Sequence, residues 1–107
     1  MSTAPEAEVL TLASMVSYQP GSIVSRQIVK AEAGNVTLFA FDAGQELSEH
    51  TTPFDALVMV LDGKAEVTIS GVPFRLETGD AILMPANEPH AVRAPERFKM
   101  TLTMIRT

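Results

Sequence analysis

The chain has 107 residues, 46% of them hydrophobic and 20% charged, with no cysteine and a net charge of −5 at pH 7. That length fits one folded domain of ordinary globular composition, and the missing cysteines exclude a disulfide framework, a thiolate metal site and a catalytic thiol, so any metal must be held by nitrogen and oxygen. The acidic balance and the scattering of the eight basic residues argue against a nucleic-acid partner.

Met1 to Glu8 carry acidic charge and a proline where a secretory signal has a basic start and an apolar stretch, so export by that route is not expected. They are taken as a flexible N-terminal tail, followed by a single domain over residues 9–107. Val9, Leu12, Ala13 and Val16 recur at helical spacing until Tyr18-Gln19-Pro20-Gly21 breaks the pattern, which predicts one short N-terminal helix. Short β-rich runs follow, separated by turn residues, at 23–29, 36–41, 46–50, 55–61, 64–69, 73–76, 80–84, 90–94 and 98–105. Asp62-Gly63 predicts a tight hairpin, because a primed turn needs positive φ and glycine supplies it without steric cost; Ser70-Gly71 and Thr78-Gly79 carry the same signal. Nothing alternates strands with helical segments, so the expected fold is all-β, antiparallel and Greek-key-like. The longest apolar run, Ala56 to Leu61, falls far short of the roughly 20 residues that span a bilayer, so no membrane partner is expected and the location is expected to be cytoplasmic.

Residues 36–41 and 56–61 lack the alternation of a strand with one wet face, so both faces of each need cover. One face lines a core. The other meets either the segment 9–29 or a second subunit, and a homodimer is the expectation.

The two histidines of the chain, His50 and His90, stand in two spaced patterns. The first runs from Gly44 through His50, Thr52 and Ala56 to Gly63. The second runs from Gly79 through Pro85, Asn87 and His90 to Ala94. The first resembles motif one of the cupin superfamily, G-x5-H-x-H-x3,4-E-x6-G, at both glycines and the first histidine. The second resembles motif two, G-x5-P-x-G-x2-H-x3-N, at Gly79, Pro85 and His90, with Asn87 replacing a glycine and Ala94 an asparagine. Asparagine tolerates positive φ better than most residues, so the Asn87 exchange is mild. The resemblance covers residues 44–94 and implies a small RmlC-like, conserved-barrel domain. Its fold would be a jelly-roll or conical β-barrel, commonly dimeric, whose matched histidines point inward to hold a divalent metal.

The departures fall on the ligands. Thr52 stands where the family has its second histidine and Ala56 where it has glutamate, and neither side chain replaces an imidazole or a carboxylate. Catalytic zinc and iron sites usually take three protein ligands, so His50 and His90 alone leave the metal site incomplete. Side-chain alternation puts Glu46 on the face of His50 if the strand is regular, and Glu49 on the other; Asp55 reaches the site if a bulge re-aims it beside Pro53. Glu46 or Asp55 is therefore the candidate substitute ligand.

Three readings follow. The first is a protein that binds a small molecule in the barrel interior, with His50, Thr52 and His90 as ligand-binding residues and at most a weakly held divalent metal as cofactor. The second is enzymatic: either a metal-dependent enzyme of oxygenase or isomerase type, as found among similar cupins, using His50, His90 and a substitute ligand, or, as a separate class, metal-free acid/base catalysis by one of the two histidines. The third is a structural barrel without a ligand, its histidines hydrogen-bonded within the fold. Phe98, Met100, Leu102 and Met104 alternate with polar residues and read as core, and no serine lies in a G-x-S-x-G context.

Overall fold

The computed structural model describes residues 4–106. Eight antiparallel strands follow one another: β1 (Ile23–Ala31), β2 (Gly34–Phe41), β3 (Glu46–His50), β4 (Phe54–Ile69), β5 (Val72–Glu77), β6 (Ala81–Met84), β7 (His90–Arg93) and β8 (Phe98–Arg106). They form one curled sheet in the order β1-β2-β8-β4-β7-β3, with β5 and β6 also paired to β4. The all-β, antiparallel jelly-roll expectation holds, and most strands lie within two residues of their predicted ends.

The largest difference is at Asp62-Gly63, which is not a hairpin. The two predicted runs on either side are one 16-residue strand, β4. An extra residue interrupts its pairing with β8, so that Val60 faces Met100 while Asp62 already faces Lys99. Gly63 then takes φ +77, and a Cβ there would lie 2.0 Å from the Arg97 carbonyl oxygen. Positive φ marks a bulge as readily as a hairpin, and here the bulge turns β4 from its partners β6 and β8 to β5 and β7. Ser70-Gly71 is the tight turn expected, with φ of 48 and 82 between paired Ile69 and Val72. Thr78-Gly79 is a kink between β5 and β6, both of which run along β4.

The core fills the concave side. Phe41 stacks on Phe98 at 4.5 Å between centroids, and Val58, Val60, Val67 and Met100 pack with them, all buried. Burying a side chain of this size stabilises the fold by about 1.5–3 kcal/mol.

The predicted helix is reduced to one 3-10 turn, Leu12–Ser14, with no side-chain cap. So short a segment gains too little from helical hydrogen bonds to offset nucleation, and it instead lays Leu10, Leu12, Met15, Val16 and Tyr18 over Leu38 and Ala40 on the outer face of β2. Tyr18 donates to Asp62 at 2.5 Å, and Lys99 donates to the Ala13 carbonyl at 2.6 Å. The proposed tail of residues 1–8 falls partly outside the described residues; Ala4 is buried and its N–H donates to the Ile28 carbonyl at 3.2 Å.

That segment covers only part of the outer face. A cross-strand row Val29–Val36–Thr103–Leu57–Leu83 runs over five strands without a charge, and Val29, Leu83 and nearby Met59 and Ile105 are exposed. Among the described residues no helix is long and apolar enough to cross a membrane.

Candidate functional site

Strands β3 and β7 carry the two histidines. Glu46 pairs with Arg93 and Leu47 with Val92, after which the register shifts and His50 pairs with His90. The shift spans three residues on β3 and two on β7, so Ser48-Glu49 contains one extra residue. Cross-strand partners share a face. Val92 and His90 are buried, so His50 turns toward the concave side, whereas Glu46 joins Arg93, Glu66 and Arg75 in a row of alternating charge on the convex side. Arg93 donates both Nε and a terminal nitrogen to the Glu66 carboxylate, at 3.4 and 3.1 Å.

The imidazoles meet edge to face, with centroids 4.4 Å apart and Nε2 to Nε2 at 3.2 Å. Nδ1 of His50 lies 2.8 Å from the Ser48 carbonyl oxygen. A carbonyl only accepts, so this nitrogen carries the hydrogen and His50 Nε2 is left with its lone pair. In a neutral pair His90 Nε2–H must then donate to it. His90 is left with an unprotonated Nδ1, which is buried without a hydrogen-bond partner. An unsatisfied buried acceptor costs about 1–3 kcal/mol. Burial holds His90 below the ordinary histidine pKa, with the neighbouring His50 charge adding to it and the Glu88 backbone working against it. His50 is exposed and His90 only 4% so, which makes His50 the solvent side of the pair.

The remaining sequence candidates are brought near the motifs but hold the loops. Thr52 Oγ1 bonds Phe54 in its own turn, donating to the carbonyl at 3.2 Å, and the Thr52 carbonyl accepts the Asn87 N–H at 2.7 Å. Asp55 Oδ1 accepts the Ala86 N–H at 2.9 Å. Ser70 donates to Glu88 at 2.7 Å and its N–H bonds the Pro89 carbonyl. The β6–β7 loop that delivers His90 is thus pinned at Ala86, Asn87, Glu88 and Pro89. Asn87 takes φ +66, the left-handed conformation that asparagine was expected to accept in place of glycine.

The regular-strand argument for Glu46 fails because the bulge at Ser48-Glu49 reverses the facing of everything before it. The bulge on this strand lies at Ser48-Glu49, before His50, and the Asp55 carboxylate is engaged with the loop. Among the described residues no group of three or more His, Cys, Asp or Glu side chains is placed to hold a metal ion. Ala56, at the family's glutamate position, is buried in the core and offers no donor atom. Sequence reasoning missed the roles of Ser48 and Asp55. A serine or aspartate near a histidine is too common a signal, and the Ser48 contact uses a main-chain atom that any residue has.

Two clefts lie away from the pair. One of ≈ 340 Å³ is lined by Lys64, Arg75, Glu77, Asp80 and Glu96 among others. Another of ≈ 220 Å³ lies on the convex side along Glu46, Ser48, Glu66 and Arg93. Neither includes His50 or His90.

Comparison with known proteins agrees with this architecture. No curated protein matches the chain. A protein of unknown function from Streptococcus pyogenes has a similar structure, with a TM-score of 0.91 and 38% identity over 96% of this chain and 90% of its own. A cupin superfamily protein from Desulfitobacterium hafniense gives a TM-score of 0.90 at 27% identity, covering 97% of this chain and 95% of that one. A cupin 2 conserved barrel domain protein from Leptotrichia buccalis gives 0.88 at 41%, covering 91% of this chain and 47% of that one. Residues 37–106 match the family model described as the cupin domain, and together with the paired glycines, Pro85 and the facing histidines this establishes that the chain belongs to the cupin superfamily.

Proposed function

We propose that this cupin binds a small molecule through a weakly held divalent metal ion on His50 and His90. The observation that carries the reading is the 3.2 Å approach of the two Nε2 atoms. Both nitrogens of His50 and Nε2 of His90 are engaged, and the last nitrogen is buried, so an organic ligand finds no free hydrogen-bonding atom on the pair. The two Nε2 atoms would be the nitrogen donors for a divalent ion, which takes imidazole nitrogen readily.

Two further details fit a metal. The Ser48 carbonyl fixes the tautomer and orientation of His50, as carbonyl and carboxylate partners do for metal-binding imidazoles. With both Nε2 atoms given to an ion, the hydrogen of His90 would sit on Nδ1, the buried nitrogen beside the Glu88 backbone. The donor count is two, below the usual three, so the ion is exchangeable and most of its positions are left to a ligand. A bound ion would supply a positive centre that polarises such a ligand, while these residues hold the two nitrogens in place.

The test is elemental analysis of protein purified without chelator, then reloaded with iron, manganese, zinc, nickel and copper in turn. Uptake that is lost in His50→Ala and His90→Ala supports the reading, and a protein that takes up none of the five overturns it.

For the partner chain we infer a second copy. The uncharged row from Val29 to Leu83 needs no opposite charge on its counterpart, which suits a two-fold interface where the same patch meets itself.

A further inference from the structure

The cleft of ≈ 340 Å³ lies apart from the histidine pair and carries its own arrangement of charge. Lys64, Arg75 and Glu77 alternate with buried Ala65 and Leu76 along β4 and β5, which puts the three charged side chains on the convex side of the sheet. β4 pairs with β5 along one edge and with β7 along the other. Arg75 of β5 and Glu96, in the loop after β7, therefore line the cleft from opposite sides of β4.

Most of the charge there already has a partner. Lys64 Nζ lies 3.5 Å from the Glu77 carboxylate, and the Asp80 carboxylate accepts the Glu77 N–H at 2.9 Å. Glu66, the cross-strand neighbour of Arg75, is held by Arg93 at 3.1 Å. Among the described residues Arg75 and Glu96 have neither a hydrogen bond nor an ion pair. One guanidinium and one carboxylate are thus left to meet a ligand, and the rest of the lining, Ala65, Leu76 and Pro95, is apolar.

We propose that this cleft binds a zwitterion, an α-amino acid with an aliphatic side chain, whose carboxylate meets Arg75, whose ammonium meets Glu96 and whose side chain rests on Pro95. The parallel N–H donors of a guanidinium match the two oxygens of a carboxylate, and an ammonium donates to carboxylate oxygens. Two cations and three carboxylates line the cleft, so an anion without an ammonium meets an excess of like charge. A cation without a carboxylate leaves the guanidinium unmatched. The volume is at the small end of ligand clefts, which suits one amino acid better than a peptide. Charge contacts at an exposed site are weak, so the expected dissociation constant is on the order of 1 mM. This site does not depend on the metal reading.

Nitrogen–proton correlation NMR of the intact, labelled protein tests it. L-Leucine is the probe, compared with isocaproate, which lacks the ammonium, and isoamylamine, which lacks the carboxylate. The expected result is saturable shifts of amides around the cleft, those of Leu76 and Glu96 among them, with leucine binding at least about threefold more tightly than either analogue. Arg75→Gln and Glu96→Gln should each weaken leucine binding by a similar factor. Both side chains are exposed, so the variants keep the fold, and their spectra show whether they do. No saturable shift with leucine, an analogue that binds as tightly as leucine, or undiminished leucine binding in either variant overturns the proposal and leaves the histidine site standing.

Discussion

His50 and His90 face each other as direct cross-strand partners of β3 and β7, and this pairing exists because one extra residue at Ser48-Glu49 turns His50 inward. Without the bulge the exposed histidine would join the convex surface and the buried one would stand alone. His50→Ala and His90→Ala should each lower metal affinity at least tenfold, since either leaves a single imidazole. Isothermal titration with nickel or zinc measures this; unchanged affinity in both variants would remove the pair from any metal site.

Asp55 acts on the site through the loop. Asp55→Ala takes away the acceptor for the Ala86 N–H and should cost about 1–3 kcal/mol of stability, the penalty for an unpaired polar group in a half-buried position. The metal affinity should fall as well, although no ligand has been removed. Chemical denaturation and metal titration on the same sample check both; a loss of stability alone would confine Asp55 to the fold.

Gly63→Ala should destabilise the protein by more than about 2 kcal/mol, because a Cβ there meets the Arg97 carbonyl oxygen at 2.0 Å and the residue has φ +77. Gly21→Ala is the control. It shares the positive φ, at +66, but has nothing within 4 Å of the added carbon, so only the conformational cost of about 1 kcal/mol remains. Equal losses at the two positions would show that the close approach at β8 is unimportant.

The metal-free protein should lose stability as the pH falls below about 6.5, the ordinary histidine value. Burial holds the folded pKa of His90 lower, so below 6.5 the unfolded chain binds a proton that the folded chain refuses, and the loss continues until the folded pKa is passed. Asp42 is also shifted down, chiefly by its hydrogen bond from Arg97, but titrates in a more acid range. Thermal melts between pH 7.5 and 5 should therefore flatten in His90→Gln; an unaltered slope would mean that His90 is not its source.

Leu83→Glu should weaken self-association by placing a charge in the apolar row beside Leu57. Light scattering across a concentration series is the measurement. A wild-type chain that stays monomeric at high concentration would overturn the two-fold interface.

Most strand positions were legible because turn residues mark strand ends and strand side chains alternate. The cupin resemblance implied that His50 and His90 point to one side, and they stand opposite each other on β3 and β7. What escaped the sequence depended on register. Glycine at position 63 announces positive φ, but whether the chain reverses or bulges there is decided by β8, whose Phe98 pairs with it from far along the sequence. Likewise nothing in Leu47-Ser48-Glu49 marks an extra residue; it becomes visible only when Val92 and His90 are set opposite. The predicted helix is instead one short 3-10 turn whose neighbouring apolar residues pack against Leu38 and Ala40 of β2.

The length of β4 has a consequence for how the molecule folds. Its first half is held by β6 and β8 and its second by β5 and β7, so neither part of the curled sheet is complete without it. Its pairing with β8 joins residues far apart in the chain, which delays closure and places the domain among slow, high-contact-order folders. A break in the backbone near Gly63 would therefore not yield two stable fragments, and the two halves should regain structure only when mixed.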